Sequence, residues 1–275
     1  MSNRDGFRSR ADWNAVAADR LRREAEAIAS IARAEPYKGR CGLCGRETAF
    51  DIPSGEASWR EGLSCRRCRC NARQRAAGGL LLDALTQPAQ ARVYATEQAS
   101  AFYLALRRRV ARLHGSEFAT ALGHRSRLSF WLMRHGVVEW VRNEDATALR
   151  WPDAAMDGIA SLDVLEHVPD CRAALREFAR VLRPGGTLAL TVPFYENQTE
   201  SATIARIDAQ GRIEHLAEPE FHGDPVRGGV PCFHHFGWAL LDDMRAAGFA
   251  DARACRVQDA SAGLPEGVWV LLARR

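Results

Sequence analysis

The sequence predicts an α/β fold: a mainly parallel sheet with helices on its faces, preceded by a helix and a small zinc-ribbon module. Two observations lead to it. Between Val138 and Pro193, short β-prone runs alternate with a helical pattern, and such alternation implies parallel strands joined by crossover helices. Upstream, Cys41, Cys44, Cys65 and Cys68 stand as C-x2-C, twenty residues, C-x2-C, the spacing of a structural zinc site. At 275 residues and 47% hydrophobic composition, the chain can bury one full core beside one small module.

The elements follow in order. Residues 1–10 read as a loose terminus. From Asp12 to Ala34, residues of high helix propensity carry Val16, Leu21, Ala25, Ile28 and Ile31 on a rough helical stripe, ended by Pro36. In the ribbon, each C-x2-C knuckle offers two thiolates from one tight turn, and two knuckles complete a tetrahedron. The spacer, with Phe50, Ile52 and Trp59, suits a β-hairpin. Cys70 competes with Cys68 for the fourth position, and spacing favours Cys68. A site with four protein ligands is closed, so it serves stability. Asn71 to Leu85 reads as a helix with Leu80, Leu81, Leu82 and Leu85 inward, and Gln87-Pro88 leads out of it. The expected divisions are 1–38 for the tail and first helix, 39–88 for the ribbon and connecting helix, and 90–275 for the α/β domain with an insertion at 194–236.

Arg92 to Thr96 is the expected first strand of that domain. It leads into Glu97-Gln98-Ala99-Ser100, with Ser100 placed to cap a helix over 101–110. A second strand, Leu113 to Phe118, contains Glu117, and a helix over 125–135 turns Leu128, Trp131 and Leu132 inward. Val138, Trp140 and Val141 form an apolar run leading to Asn143-Glu144-Asp145-Ala146. Gly158 to Ser161 leads to Leu162-Asp163-Val164-Leu165-Glu166-His167. Helical periodicity then places Ala174, Leu175, Phe178, Ala179 and Leu182 on one face, until Arg183-Pro184-Gly185-Gly186 stops it. Thr187 to Val192 is the next strand. After the insertion, a helix over 238–247 and strands over 252–257 and 268–273 complete the sheet, the last as its antiparallel edge. Ligands of open α/β sheets sit beyond the carboxyl ends of the strands, where Asp145 and the Leu162–His167 turn fall.

The order N-E-D-A-x-x-L-x-W-P-D (143–153), M-D-x-I (156–159), D-V-L-E-H-V (163–168) and R-V-L-R-P-G-G-T-L (180–188) resembles class I S-adenosylmethionine-dependent methyltransferases of the type 11 branch. The resemblance covers about residues 90–273 and implies a Rossmann-like seven-stranded methyltransferase sheet with S-adenosylmethionine as cofactor. It implies that Asp145 faces the adenine amine, that Ala146, Leu162 and Asp163 line the cofactor, and that Glu97 matches an acid ending the first strand. Glu117, twenty residues after Glu97, resembles the ribose-binding acid. The glycine-rich turn after the first strand is absent. His167 stands where a substrate proton could be taken near neutral pH. His222 and His235, in the insertion, are candidate substrate anchors.

Net charge is +4, unevenly spread. Residues 1–90 hold 16 Lys+Arg against 11 Asp+Glu, residues 91–135 hold 8 against 2, and residues 136–275 hold 14 against 21. A basic front half, with Arg66, Arg67, Arg69, Arg73 and Arg75 around the second knuckle, admits RNA as partner or a solvated rim. A small molecule or glycan acceptor fits the long insertion as well. Four of the eight histidines lie in that insertion (His215, His222, His234, His235). They form no tight ligand pair, so a second metal site from them is not expected. The chain lacks a run of about twenty apolar residues and an apolar signal core, so a cytoplasmic protein without a membrane span is expected. Two functions remain: a methyltransferase, or a non-enzymatic zinc-ribbon adaptor whose methyltransferase-like domain has lost its cofactor.

Overall fold

The computed structural model describes residues 6–31, 36–55, 58–223 and 229–275. A short strand β1 (Gly6–Phe7) leads into helices α1 (Arg10–Asn14) and α2 (Ala17–Ile31). Strands β2 (Lys38–Arg40), β3 (Glu47–Asp51) and β4 (Ser64–Cys65) form an antiparallel ribbon, with helix α3 (Trp59–Gly62) before β4. Helix α4 (Ala72–Ala84) begins with a reciprocal cap between Asn71 and Gln74. Then come β5 (Arg92–Ala95), α5 (Ala101–Arg107), β6 (Arg112–Gly115), α6 (Leu122–Arg134), β7 (Met156–Leu162), α7 (Cys171–Val181) and β8 (Leu182–Thr191). The insertion holds the short strands β9 (Ala202–Thr203), β10 (Ala205–Ile207), β11 (Ile213–His215), β12 (Phe221–His222), β13 (Val230–Pro231) and β14 (His234–His235). Helix α8 (Leu240–Ala246) and the long strands β15 (Asp251–Asp259) and β16 (Leu264–Arg274) close the chain.

The main sheet has seven strands in the order β1-β15-β16-β8-β7-β5-β6. β5 to β8 are parallel, and β16, β15 and β1 are antiparallel to their neighbours. The number agrees with the sequence reading, but the membership does not. Residues 138–141, expected as a strand, join the sheet region only through a parallel bridge between Asn143 and Glu117. Side chains replace the ladder there. Gln98 Oε1 accepts from the Arg142 amide (2.9 Å) and Ser129 Oγ from the Val141 amide (2.9 Å), while Arg125 donates to the Val141 carbonyl (3.0 Å). With these backbone groups satisfied, strand pairing is not required.

The seventh strand is instead β1, from the terminus expected to be loose; residues 1–5 of it lie outside the described residues. The last strand is correspondingly not an edge: β16 lies between β15 and β8. Phe7, Trp13 and Trp269 meet edge to face, with centroids 4.9–6.1 Å apart, and hold the N-terminal segment down.

The first helix is broken after Asn14, and its apolar stripe holds only at its end, where Ile31 is buried. Val16 and Leu21 are exposed while Glu24 is buried. Glu24 faces inward because Arg256 meets it with two contacts of 2.6 Å, in a bidentate pairing that satisfies both charges. α7 ends at Val181, one residue earlier than its periodicity implied, and Leu182 and the stretch Arg183–Gly186 expected as a stop lie within β8, with Gly185 at φ +78. A Cβ on Gly186 would lie 2.9 Å from the Arg183 carbonyl oxygen.

One core cluster lies under the ribbon, α4 and α5, and another under α7 and α8. Leu80, Leu81, Leu82 and Leu85 are buried as expected. Arg75, 1% exposed, donates to the carbonyls of Leu63 (3.0 Å), Ala262 (2.9 Å) and Gly263 (2.8 Å) and stacks over Phe50. It ties the ribbon to the β15–β16 turn. No helix among the described residues is long and apolar enough to cross a membrane.

Candidate functional site

The carboxyl ends of β5, β6 and β7 carry Glu97, Glu117 and Asp163. Glu117 Oε1 accepts the backbone amides of Gln98 and Ala99, both at 2.8 Å. Among the described residues, its other oxygen has no hydrogen-bond partner. Burial pushes Glu97 up to about 7; the Ser100 hydroxyl and Arg73 oppose this, and the charges of Glu117 and Asp163 reinforce it. Ser100 caps α5 through the Tyr103 amide, as its sequence position implied.

Gly115, at the end of β6, faces the Glu97–Gln98 backbone. A Cβ there would lie 2.9 Å from the Glu97 carbonyl oxygen and 2.6 Å from the Tyr103 ring. Close approach is thus provided by a glycine on the neighbouring strand, a residue whose role appears only once β5 and β6 are paired.

Asp163 takes φ +49, a left-handed conformation that Asp tolerates better than most residues. Its carboxylate accepts from Thr191 (2.8 Å) and Arg60 (2.8 and 3.0 Å) and lies 3.1 Å from Arg73. Burial opposes its ionisation, but Arg73, Arg60 and the Thr191 hydroxyl outweigh burial and hold it below the usual carboxylate range. Arg60 and Arg73 belong to α3 and α4. The ribbon side of the molecule therefore reaches the carboxyl ends of the sheet strands, which sequence spacing does not reveal. Leu162 is buried at the end of β7. Asp145 is exposed at the rim, one oxygen accepting from the Thr147 amide and hydroxyl (2.8 and 2.7 Å), and Ala146 packs half-buried beneath it.

Thiols of Cys41, Cys44, Cys65 and Cys68 lie within 4.8 Å of one another. Cys70 stands apart, its thiol directed at the Cys68 carbonyl (3.6 Å). Hydrogen bonds from Cys41 and Cys68 hold the Cys65 thiol far below its ordinary range. The set is all sulfur and its Cys65 Sγ receives the Cys68 amide at 3.5 Å, which fits a tetrahedral soft divalent ion.

His167 and His222, far apart in sequence, meet edge to face with centroids 5.2 Å apart. His167 Nδ1 bonds the Pro231 carbonyl (2.8 Å). Glu166, adjacent to it, is fully buried, and burial with the Asp163 charge pushes it up to about 8. His235 Nε2 bonds Glu220 (2.6 Å). His234 is directed at the Val168 and Pro169 carbonyls, and His215 lies against Phe221, so the four insertion histidines do not converge.

A cavity of about 400 Å³ opens at the end of β8, lined by Arg60, Pro193, Phe194, Tyr195, Arg256 and Trp269 among others. A larger one of about 570 Å³ follows the outer edge of β6, lined by Arg92, Arg107, Arg112 and Arg142 but not by Glu97, Glu117 or Asp163.

Residues 76–190 match the methyltransferase domain family. The chain carries a methyltransferase domain. The match begins within α4 and ends within β8, so it contains the loops bearing Glu97, Glu117, Asp145 and Asp163. Over 46 residues, 17% of this chain, the sequence is 52% identical to the 27-O-demethylrifamycin SV methyltransferase of Amycolatopsis mediterranei (strain S699). Over another 46-residue alignment it is 46% identical to methyltransferase GfsG of Streptomyces halstedii. These alignments span 17% and 16% of the relatives' own lengths. Similar solved structures include the [4+2]-cyclase SpnF (17% identical, 92% of this chain and 93% of that one, TM-score 0.49). An S-adenosylmethionine-dependent methyltransferase from Mesorhizobium loti is another (18% identical, 73% and 98%, TM-score 0.48).

Proposed function

We propose that the protein is an S-adenosylmethionine-dependent methyltransferase of a reducing, cytoplasmic compartment. Its acceptor is a small molecule or glycan, and its ribbon holds one structural zinc through Cys41, Cys44, Cys65 and Cys68. The observation that carries the reading is the pair of carboxylates Glu97 and Glu117 at the ends of adjacent parallel strands, Glu117 with one oxygen left to accept a ribose hydroxyl. Asp145 keeps one oxygen at the rim for the adenine amine, and the backbone at Leu162–Asp163 runs between them. The bound cofactor supplies a methyl already activated by its sulfonium. The protein's part is alignment and exclusion of water, for which the cavity beside Phe194, Tyr195 and Trp269 is suited.

Pairing within the chain supports a small acceptor over RNA. Arg66 and Arg69 face Asp51, Arg67 bonds the Glu47 carbonyl, Arg73 meets Glu61 and Asp163, and Arg75 is buried. Arg73 and Arg75 are thus engaged internally, and Arg66 and Arg69 pair with Asp51 at the surface. The name of the rifamycin relative points the same way. All eight cysteines are free, which supports a reducing compartment.

The presence of Arg60 and Arg73 on Asp163 favours a second reading, a binding module whose ribbon closes the cofactor edge. Calorimetric titration of the zinc-loaded protein with S-adenosylhomocysteine separates the two. Micromolar binding, weakened in Glu117→Ala and Asp145→Ala, is the expected result. Absence of heat and of any thermal shift at millimolar ligand rejects the enzyme and leaves the binding module.

A further inference from the structure

A second metal-ligating cluster lies where the insertion meets the sheet, formed by residues that no sequence motif brings together. One donor atom each of His167, His222 and Cys232 lies within 4.8 Å of the others. Glu166 Oε1 is 3.9 Å from His167 Nε2 and 3.9 Å from His222 Nδ1. The Glu166 side chain is 0% exposed, and neither of its oxygens has a hydrogen-bond partner among the described residues. A buried carboxylate left so is costly.

The protons on the two rings deepen the mismatch. His167 Nδ1 lies 2.8 Å from the Pro231 carbonyl oxygen, which can only accept, so the proton sits on Nδ1 and Nε2 presents a lone pair. His222 Nε2 lies 2.9 Å from Glu220 Oε1, so its proton sits on Nε2 and Nδ1 presents a lone pair. Both lone pairs face Glu166. The Cys232 thiol is buried, 3.9 Å from His167 Nδ1, and belongs to the set of donor atoms within 4.8 Å of one another. A divalent cation that displaces the Glu166 and Cys232 protons would engage both imidazole lone pairs, the carboxylate and the thiolate together.

We propose that His167, His222, Cys232 and Glu166 bind a zinc ion, distinct from the ion of the ribbon. Two imidazoles, a thiolate and a carboxylate suit zinc, whereas magnesium and calcium take oxygen ligands. Tetrahedral bonds of about 2.0 Å place neighbouring N and O donors about 3.3 Å apart, so 3.9 Å contacts close by a few tenths of an ångström. The outer shell is in place. Histidine ligands of zinc donate their second N–H to a carbonyl or carboxylate, as His167 does to Pro231 and His222 to Glu220. Glu220 is itself fixed by His235 at 2.6 Å. Glu166 and His167 come from the turn after β7, and His222 and Cys232 from the insertion, so the ion fastens β12–β13 to the end of the sheet. The site stands whether or not the chain transfers a methyl.

The test is metal content of the full-length protein, loaded with excess zinc, desalted and measured by inductively coupled plasma mass spectrometry. Two zinc per chain are expected, falling to one in Cys232→Ala and in His222→Ala. His222 is 35% exposed at its side chain, so its replacement leaves the core intact, and the zinc retained by the ribbon reports a folded product. Cobalt substitution supplies the second readout: sulfur-to-cobalt absorption from a one-thiolate site, lost in Cys232→Ala while the four-thiolate bands remain. One zinc per chain in the wild type overturns the proposal, as does a value of two in either variant.

Discussion

Replacing Asp163 by Asn removes the charge that joins the ribbon side to the carboxyl end of β7 while keeping the backbone. Asn accepts a φ of +49 as readily as Asp, and its side-chain oxygen can still take the Thr191 hydroxyl. What is lost is the ionic partner of Arg60 and Arg73. The three side chains are 20%, 28% and 14% exposed. Removing one partner of a fully buried pair costs about 3–5 kcal/mol, and solvent screening at these exposures reduces that to about 2–3 kcal/mol. In a chain of this size that is roughly 4–9 °C in Tm. Urea unfolding followed by circular dichroism measures the difference directly. The pH dependence has a definite sign. The folded carboxyl sits below its ordinary value, so its contribution is fully present above the unfolded pKa of about 3.9 and is lost as pH falls through the folded value. The gap between wild type and Asp163→Asn is therefore still present at pH 5 and is lost only below about 4. Equal stability within about 0.5 kcal/mol at pH 7.5 refutes the clamp, as does a gap that closes between pH 8 and 6.

Three further outcomes are expected. Arg75→Met leaves three carbonyls without their charged donor and lowers stability by about 3–5 kcal/mol, read as a shift in urea midpoint; a shift equivalent to under about 1 kcal/mol rejects that role. Trp13→Ala opens a cavity between Phe7 and Trp269, costing about 3–5 kcal/mol, and hydrogen exchange at Gly6–Phe7 rises to that of an unpaired segment. Glu97, pushed up to about 7, must be ionised to act as a charged cofactor-binding acid. S-adenosylhomocysteine binding thus strengthens by up to about tenfold from pH 6 to 8, and Glu97→Gln shows a flat profile; an unchanged slope in that variant removes Glu97 from the site.

Much of the fold was legible because hydrophobic periodicity reports local burial. The stripe at Ala174, Leu175, Phe178 and Ala179 is buried along α7, and the leucines of α4 face the sheet as their spacing implied. The knuckle cysteines converge because a C-x2-C turn is local geometry. The failures share a cause in long-range partners. Residues 138–141 carry β-prone side chains, but Gln98 and Ser129 satisfy their backbone. Glu24 looks like a solvent-facing charge until Arg256, 232 positions away, is brought against it. Glu166, in a motif that drew attention to His167, shows its buried and unpartnered state only when the insertion covers it.

By itself, the sequence determined the alternation of strands and helices, the four-thiol ribbon and the acids at the strand ends, since each depends on residues close in the chain. Only the tertiary structure decided that the N-terminal segment supplies the seventh strand and that Gly115 packs against the Glu97–Gln98 backbone. It also decided that Arg60 and Arg73 close on Asp163, and that His167 and Glu166 meet His222 and Cys232. Those are contacts between segments 12 to 249 residues apart, and no local pattern encodes them, because their energies arise only when packing removes the groups from water.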